Sequence, residues 1–350
     1  MTAAPLTLPN SFGSAKFLGA DPVNRLARHR RTPLEQSRRM WGRALARQEI
    51  DRLLSRSAAE LEPVLESLLE QAVLPGEIYR PARLLEAMRY AVLGGGKRLR
   101  PFLVIECARA LGAENDGVMR AACAVELVHC YSLVHDDLPA MDDDDLRRGR
   151  ATVHKAFDEA LGILTGDALL TYAFDVMADP RTHSDPETRA RLVLGLARAS
   201  GLGGMAGGQA LDLEAERARS PLSIDATRRL QSMKTGALLA FSVEAGAILG
   251  QASPATAAAL GEYGRALGAA FQIADDLLDT LGDEATMGKR IGKDEGRNKA
   301  TLVSALGVEG ARRACDELVA AAQAALSRSA LGERGETLAQ TARFVVARKR

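Results

Sequence analysis

Two segments of this chain gather carboxylates inside apolar surroundings. The first is His135-Asp136-Asp137-Leu138-Pro139-Ala140-Met141-Asp142, which runs on through Asp143-Asp144-Asp145 to Arg147 and Arg148. The second is Phe271-Gln272-Ile273-Ala274-Asp275-Asp276-Leu277-Leu278-Asp279. Buried or half-buried like charges are costly unless a cation neutralises them. Two such clusters point to a site built around several hard divalent metals and a polyanionic substrate.

The elements that carry them can be read from spacing. Leu267, Ala270, Phe271, Ala274, Leu278 and Leu281 form the apolar face of one helix. Gln272, Asp275, Asp276 and Asp279 fall at i, i+3, i+4 and i+7 and make a separate polar stripe. Residues 266–281 contain no Lys or Arg, so the stripe asks for a cation from outside. The first cluster needs another geometry, because six helical steps rotate Asp142 from Asp136 by about 600°, onto a different side. Pro139 does not fit a regular helix interior. The sequence therefore predicts a local bulge or helix break that returns Asp142 to the side of Asp136. Upstream, Val118, Ala121, Ala122, Val125 and Val128 keep helical spacing and lead straight into this cluster. Leu53, Leu54, Leu61, Val64, Leu65, Leu68 and Leu69 predict an earlier helix ending near Pro75-Gly76. Pro81 is expected in the first turn of the next helix, which leads to Gly94-Gly95-Gly96. With no internal repeat and no domain-sized linker, the two clusters read as opposing walls of one bundle.

Composition agrees with a helical chain. Of 350 residues, 47% are hydrophobic and 4% aromatic, and β-branched runs are short. No stretch reaches ~18 uninterrupted apolar residues, so no membrane-spanning helix is expected. The four cysteines form no C-x-x-C pair, and Cys123 and Cys130 are expected to share a helix face as small buried hydrophobes. The net charge of +1 hides an asymmetry: residues 1–50 hold nine Lys/Arg against three Asp/Glu, so the remainder is net acidic. A general nucleic-acid footprint is excluded on that ground. Residues 1–43 read as a disordered basic extension and 44–350 as the catalytic domain. The extension lacks the apolar core of a secretory signal; a targeting peptide, or a start upstream of Met40, are its other readings. The location expected is cytoplasmic.

At this point the sequence resembles the trans-isoprenyl diphosphate synthases, closest to the bacterial farnesyl and geranylgeranyl diphosphate synthases. The likeness covers roughly residues 50–350. It runs in order through Gly94–Pro101 (GGGKRLRP), Asp136–Asp142 (DDLPAMD) with Arg147-Arg148, Gly207-Gly208-Gln209, Lys234-Thr235-Gly236, Phe271–Asp279, Lys289 and Lys299. A lone DDxxD is weak, but seven signatures in the right order are highly specific. The resemblance implies an all-α single large bundle around a central cavity, the isoprenoid synthase fold, and a homodimer. It implies a prenyltransferase that joins an allylic diphosphate to isopentenyl diphosphate, head to tail, with three Mg²⁺ ions between the acidic clusters.

Residue roles follow from the same resemblance. Asp136, Asp142, Asp275 and Asp279 are assigned to metal, with Asp137 and Asp276 as further ligands or as acceptors behind them; carboxylate oxygens suit Mg²⁺. Arg147, Lys234 and Lys289, with Lys299 in addition, are expected on the allylic diphosphate. Gly96, Lys97, Arg100, His129 and Arg148 are expected at isopentenyl diphosphate. Thr235, Gln272 and the Lys234 carbonyl would supply dipoles to the carbocation. Gln209 and Asp212 are expected to shape the cavity or support it, and His135 to pack behind the motif. Tyr131, five residues before Asp136 and so ~7.5 Å deeper along a helix, implies a pocket closed at C15, with Ser132 beside it leaving some room. Farnesyl diphosphate is the product expected, and geranylgeranyl diphosphate (C20) the alternative. A class I terpene cyclase commonly lacks the second DDxxD, and a non-catalytic prenyl synthase subunit usually loses one cluster; both are intact here. A purely structural bundle would leave the acidic stripe unexplained.

Overall fold

The computed structural model describes residues 33–218, 220–281 and 301–347, with side chains from Arg47 onward. Helix α1 spans Pro33–Leu68, so its backbone begins before the boundary expected at 44, while residues 1–32 lie outside the described residues. The described residues from 45 onward form one compact unit. Its helices continue as α2 (Ala82–Val92), α3 (Leu99–Ala110), α4 (Asp116–Asp136), α5 (Val153–Ala156), α6 (Glu159–Ala178), α7 (Pro186–Ser200), α8 (Met205–Arg217) and α9 (Ile224–Gln231). A π-turn over Ser232–Gly236 leads into α10 (Ala237–Leu249), followed by α11 (Pro254–Leu281), α12 (Leu302–Arg328) and α13 (Glu336–Ala347). The fold is the all-α bundle expected; the strands among the described residues are β1 (Leu146–Arg147) and β2 (Arg150–Ala151).

Burial explains which helices are central. Helices α3 and α10 are apolar around most of their circumference, which suits a helix packed on all sides. They contribute to two core layers. One joins α1, α2, α4, α6 and α7 through Leu65, Val92, Leu127, Leu169 and Leu192. The other joins α11, α12 and α13 through Leu267, Leu326 and Leu338. A third, smaller cluster of Ile273, Ala274, Leu302, Val303, Ala311 and Cys315 lies beneath the second acidic segment. Cys123 and Cys130 are buried, as their spacing predicts. Asn115, Asp158 and Ser223 cap α4, α6 and α9, each accepting a backbone N–H of the first turn.

Three details differ from the sequence expectation. Helix α1 stops at Leu68 rather than near Pro75, and side chains take the carbonyls at and just past its end: Tyr172 donates to the Leu68 oxygen (2.7 Å), Arg89 to that of Leu69 (3.0 Å) and Arg80 to that of Glu70 (2.8 Å). Pro81 sits one position earlier than expected, capping α2 with an extended backbone. Finally, α4 and α6 are long and apolar enough to cross a membrane by length and mean hydropathy, although neither is an uninterrupted apolar run. Helix α4 is a core helix, whereas α6 keeps much of its apolar surface exposed.

Candidate active site

Helix α4 ends at Asp136, and the chain reverses at once. The Asp142 N–H donates to the Asp136 carbonyl (2.8 Å), the Asp143 N–H to Leu138 (3.1 Å) and the Asp144 N–H to Asp137 (3.2 Å). These bonds close a compact loop around Pro139 and return Asp142 to the backbone of Asp136, the geometry that the proline and the six-residue spacing predict. The loop continues into the β1–β2 hairpin, whose turn residues Arg148 and Gly149 both have positive φ (52° and 76°). The hairpin docks on α2, where the Tyr90 hydroxyl donates to the Ala151 carbonyl (2.8 Å) and Arg150 stacks 4.1 Å over the Tyr90 ring.

The carboxylates of this segment have different partners. Arg147 grips the buried Asp137, its Nε 2.8 and 2.9 Å from the two oxygens and its Nη2 2.6 Å from Oδ1. This pair holds the Arg147 guanidinium in a fixed orientation. Asp145 pairs with Lys155 at 3.0 Å, away from the cluster. Asp136 accepts from Gln209 Nε2 of α8 at 2.7 Å. Burial pushes its carboxyl up to about 6; Lys234 works against that, and Asp142 adds to it. Such a group gains from a cation placed beside it.

The second segment lies on α11 as a regular helix. Asp275 is exposed at its surface and Asp276 is buried. Gln231, the last residue of α9, donates to Asp276 Oδ2 at 2.6 Å, and Gln272 donates to Oδ1 at 2.9 Å. Asp276, like Asp137, is therefore held by neighbouring donors, while Asp275 and Asp279 flank it. Among the described residues, no three carboxylates, imidazoles or thiolates gather closely enough to hold a metal unaided. That donor set fits Mg²⁺, which binds one or two carboxylates and completes its shell with phosphate oxygens and water.

The π-turn lies alongside α8 and α11. A one-residue widening of this kind re-aims side chains and often marks a working site. It presents Lys234, whose Nζ is 2.5 Å from Asp212 Oδ2 of α8, and Thr235. Gly208 makes the approach possible, since a Cβ there would overlap the Lys234 backbone. Gln209 and Asp212, one helical turn apart on α8, thus fix the first cluster and Lys234 respectively. Lys289 and Lys299 lie outside the described residues.

A basic face adjoins these walls. Arg98 caps α3 with φ 50° and is nearly inaccessible (3% exposed), as is Glu126 on α4 (1%). Arg98 Nη1 meets Glu126 Oε1 at 2.7 Å, and Nη2 meets the Val92 carbonyl at 2.6 Å and Glu62 at 3.4 Å. This pair anchors the segment carrying Lys97 and Arg100. The Arg100 Nε is buried without a hydrogen-bond partner, and burial lowers the proton affinity of its guanidinium. His129 is held neutral by burial and by Arg100, Arg148, Arg147 and Arg98 around it. Arg148 donates to the Gly95 carbonyl and lies against Gly96, where φ is 130° and a Cβ would strike the guanidinium. The structure thus brings Gly96, Arg100, His129 and Arg148 near one another.

Deeper in α4, Tyr131 is buried; Ser132 is half-buried and donates to the His129 carbonyl at 2.8 Å. Sequence reasoning gave no role to Arg98, although it lies in the GGGKRLRP signature, and passed over Glu126 and Gln231. Glu126 carried a signal, as the sole acid between Ala121 and Val134. Gln231 carried none, because its partner lies 45 positions away.

The chain is similar to known proteins in both sequence and fold. The farnesyl diphosphate synthase of Geobacillus stearothermophilus is 41% identical over 305 residues, covering 87% of this chain and 99% of that protein. That of Escherichia coli (strain K12) is 46% identical over 249 residues, covering 71% of this chain and 83% of the relative. An apo crystal structure of an FPP/GFPP synthase from Zymomonas mobilis superposes with a TM-score of 0.76 at 42% identity, covering 86% of this chain and 100% of the other. The polyprenyl synthetase family model matches residues 81–331, a span that holds both acidic segments, the π-turn and the basic face, and the chain belongs to that family.

Proposed function

We propose that this chain is a Mg²⁺-dependent farnesyl diphosphate synthase, which condenses isopentenyl diphosphate with dimethylallyl and then geranyl diphosphate and releases diphosphate. The observation that carries the reading is the pairing of a carboxyl whose charged form burial disfavours with an arginine whose Nε lacks a partner. On one side, burial pushes the Asp136 carboxyl up to about 6, against the pull of Lys234. On the other, the half-buried Arg100 keeps its Nε away from solvent without a hydrogen-bond partner. A diphosphate with divalent metal answers both.

Asp136, Asp142, Asp275 and Asp279 would hold Mg²⁺, three ions in all, while Asp137 and Asp276 hold the neighbouring donors in place. Mg²⁺, when bound, supplies positive charge that screens the departing diphosphate. Arg147 and Lys234 position the allylic diphosphate, and Arg147 is pre-oriented by Asp137. Lys97, Arg100, His129 and Arg148 hold isopentenyl diphosphate beside Gly96. A neutral His129 can donate one hydrogen bond without adding to the guanidinium charge already present. Thr235 and Gln272 present dipoles to the allylic carbocation and no strong nucleophile. The isopentenyl double bond then attacks, and the departing diphosphate accepts the proton released.

Tyr131 is the floor that stops growth at C15. A second copy of the chain is supported by Ile163 (49% exposed) and Leu164 (52%) on α6 and Leu194 (50%) on α7, apolar side chains that a homodimer would cover. The test of function is incubation with isopentenyl diphosphate, Mg²⁺ and geranyl diphosphate, followed by chain-length analysis. A C15 product is expected. Folded protein that yields no condensation product overturns the assignment.

A further inference from the structure

Tyr131 does not hold its position alone. One helical turn on, the His135 imidazole meets its ring edge to face, with centroids 5.9 Å apart and planes at 79°. His135 is fixed from its other side by α6. Its Nε2 lies 3.0 Å from the Ile163 carbonyl oxygen. A carbonyl only accepts, so Nε2 carries the hydrogen in this bond. The imidazole occupies the space over Gly166, where any Cβ would overlap three of its ring atoms. The absence of a side chain at 166 is thus the condition for His135 to stand where it does.

We infer that His135, seated on Gly166 and the Ile163 carbonyl, is a positioning residue for product length: it braces the Tyr131 ring and keeps the cavity floor from yielding to a longer chain. The inference rests on the reading of Tyr131 as that floor. Besides the Ile163 carbonyl, Asp167 of α6 stands 3.9 Å from His135 Nε2; Asp167 has no part in the substrate or metal assignments, so loss of the brace should alter where elongation stops before it alters how substrates bind. Removing the imidazole opens a space beside Tyr131, into which the ring can turn. Adding a methyl group at 166 expels the imidazole and reaches the same result from another helix.

The experiment is chain-length analysis with isopentenyl and geranyl diphosphates for the wild type, Tyr131→Ala, His135→Ala, His135→Phe, Gly166→Ala and the Tyr131→Ala/His135→Ala double variant, with helix content checked by circular dichroism. His135→Ala and Gly166→Ala should raise the ratio of C20 to C15 product about tenfold, the scale of one lost aromatic contact, with the isopentenyl diphosphate KM unchanged. His135→Phe, which keeps a ring edge against Tyr131, should retain C15. The double variant should match Tyr131→Ala alone, because the brace has nothing left to hold. If Tyr131→Ala lengthens the product while His135→Ala and Gly166→Ala keep the wild-type spectrum, the brace is refuted and the floor stands. If Tyr131→Ala leaves C15 unchanged, the floor itself fails. Gly166→Ala lies outside the acidic segments, so it decides the matter if His135→Ala proves inactive.

Discussion

Replacing Glu126 with Gln keeps the shape of the side chain and removes the charge that Arg98 faces. Arg98 is 3% exposed and cannot shed its charge or reach water. Breaking a buried pair by neutralising one partner typically costs about 3–5 kcal/mol. Here the Val92 carbonyl at 2.6 Å and Glu62 at 3.4 Å remain as partial compensation, so about 3 kcal/mol, the lower end, is expected. At roughly 2 °C per kcal/mol for a chain of this size, the melting temperature falls by about 6 °C. The anchored segment carries Lys97 and Arg100, so the KM for isopentenyl diphosphate rises while that for geranyl diphosphate changes little. Thermal melting followed by circular dichroism and steady-state kinetics read the two effects. The double variant Arg98→Met/Glu126→Leu, which buries no charge, should regain most of the stability. A loss below about 1 kcal/mol for Glu126→Gln, or a double variant as unstable as the single, refutes the reasoning.

Other consequences follow from the same geometry. Folding raises the Asp136 carboxyl from 3.8 to about 6, so this group favours the folded state fully only below about 4 and penalises it above about 6. Metal-free stability should therefore fall by about 3 kcal/mol as pH rises through that window. Mg²⁺ relieves the penalty, so its effect on melting temperature should be larger at pH 7 than at pH 5; equal gains would count against the assignment. Gln231→Ala removes one of the two amides holding Asp276. It should weaken the Mg²⁺ dependence of turnover about tenfold to a hundredfold with helix content intact, and an unshifted titration would show that Asp276 needs no such support. Gly96→Ala places a Cβ against Arg148 on a backbone of φ 130°. The KM for isopentenyl diphosphate should rise by about tenfold or more, and an unchanged KM would remove Arg148 from that site.

The sequence showed the helix of the second acidic segment, because the 3.6-residue period reports it directly, but not that Asp276 is buried while Asp275 beside it is exposed. The return of Asp142 to Asp136 was legible for the opposite reason, since Pro139 and the six-residue spacing forbid a helix there. The order of the basic residues was legible as pattern. Their support was not. Arg98 and Glu126 meet across 28 residues and Gln231 and Asp276 across 45, and no local rule encodes such partners. The π-turn escaped because a widening over Ser232–Gly236 barely disturbs the hydrophobic period around it. Helix α1 was read too long; the side chains that take the carbonyls at and just past its end, Tyr172, Arg80 and Arg89, come from elsewhere in the chain.

The central claim is that the two acidic segments act as one metal–diphosphate site. Its most direct test is the rate of condensation, with saturating Mg²⁺, for Asp136→Ala, Asp275→Ala and the double variant. Groups that act as a unit are lost as a unit. Each single substitution should lower turnover about a thousandfold or more, and the double variant should be no worse than the poorer single. A double variant whose loss equals the product of the two, or full activity without one segment, would show two independent features in place of one site.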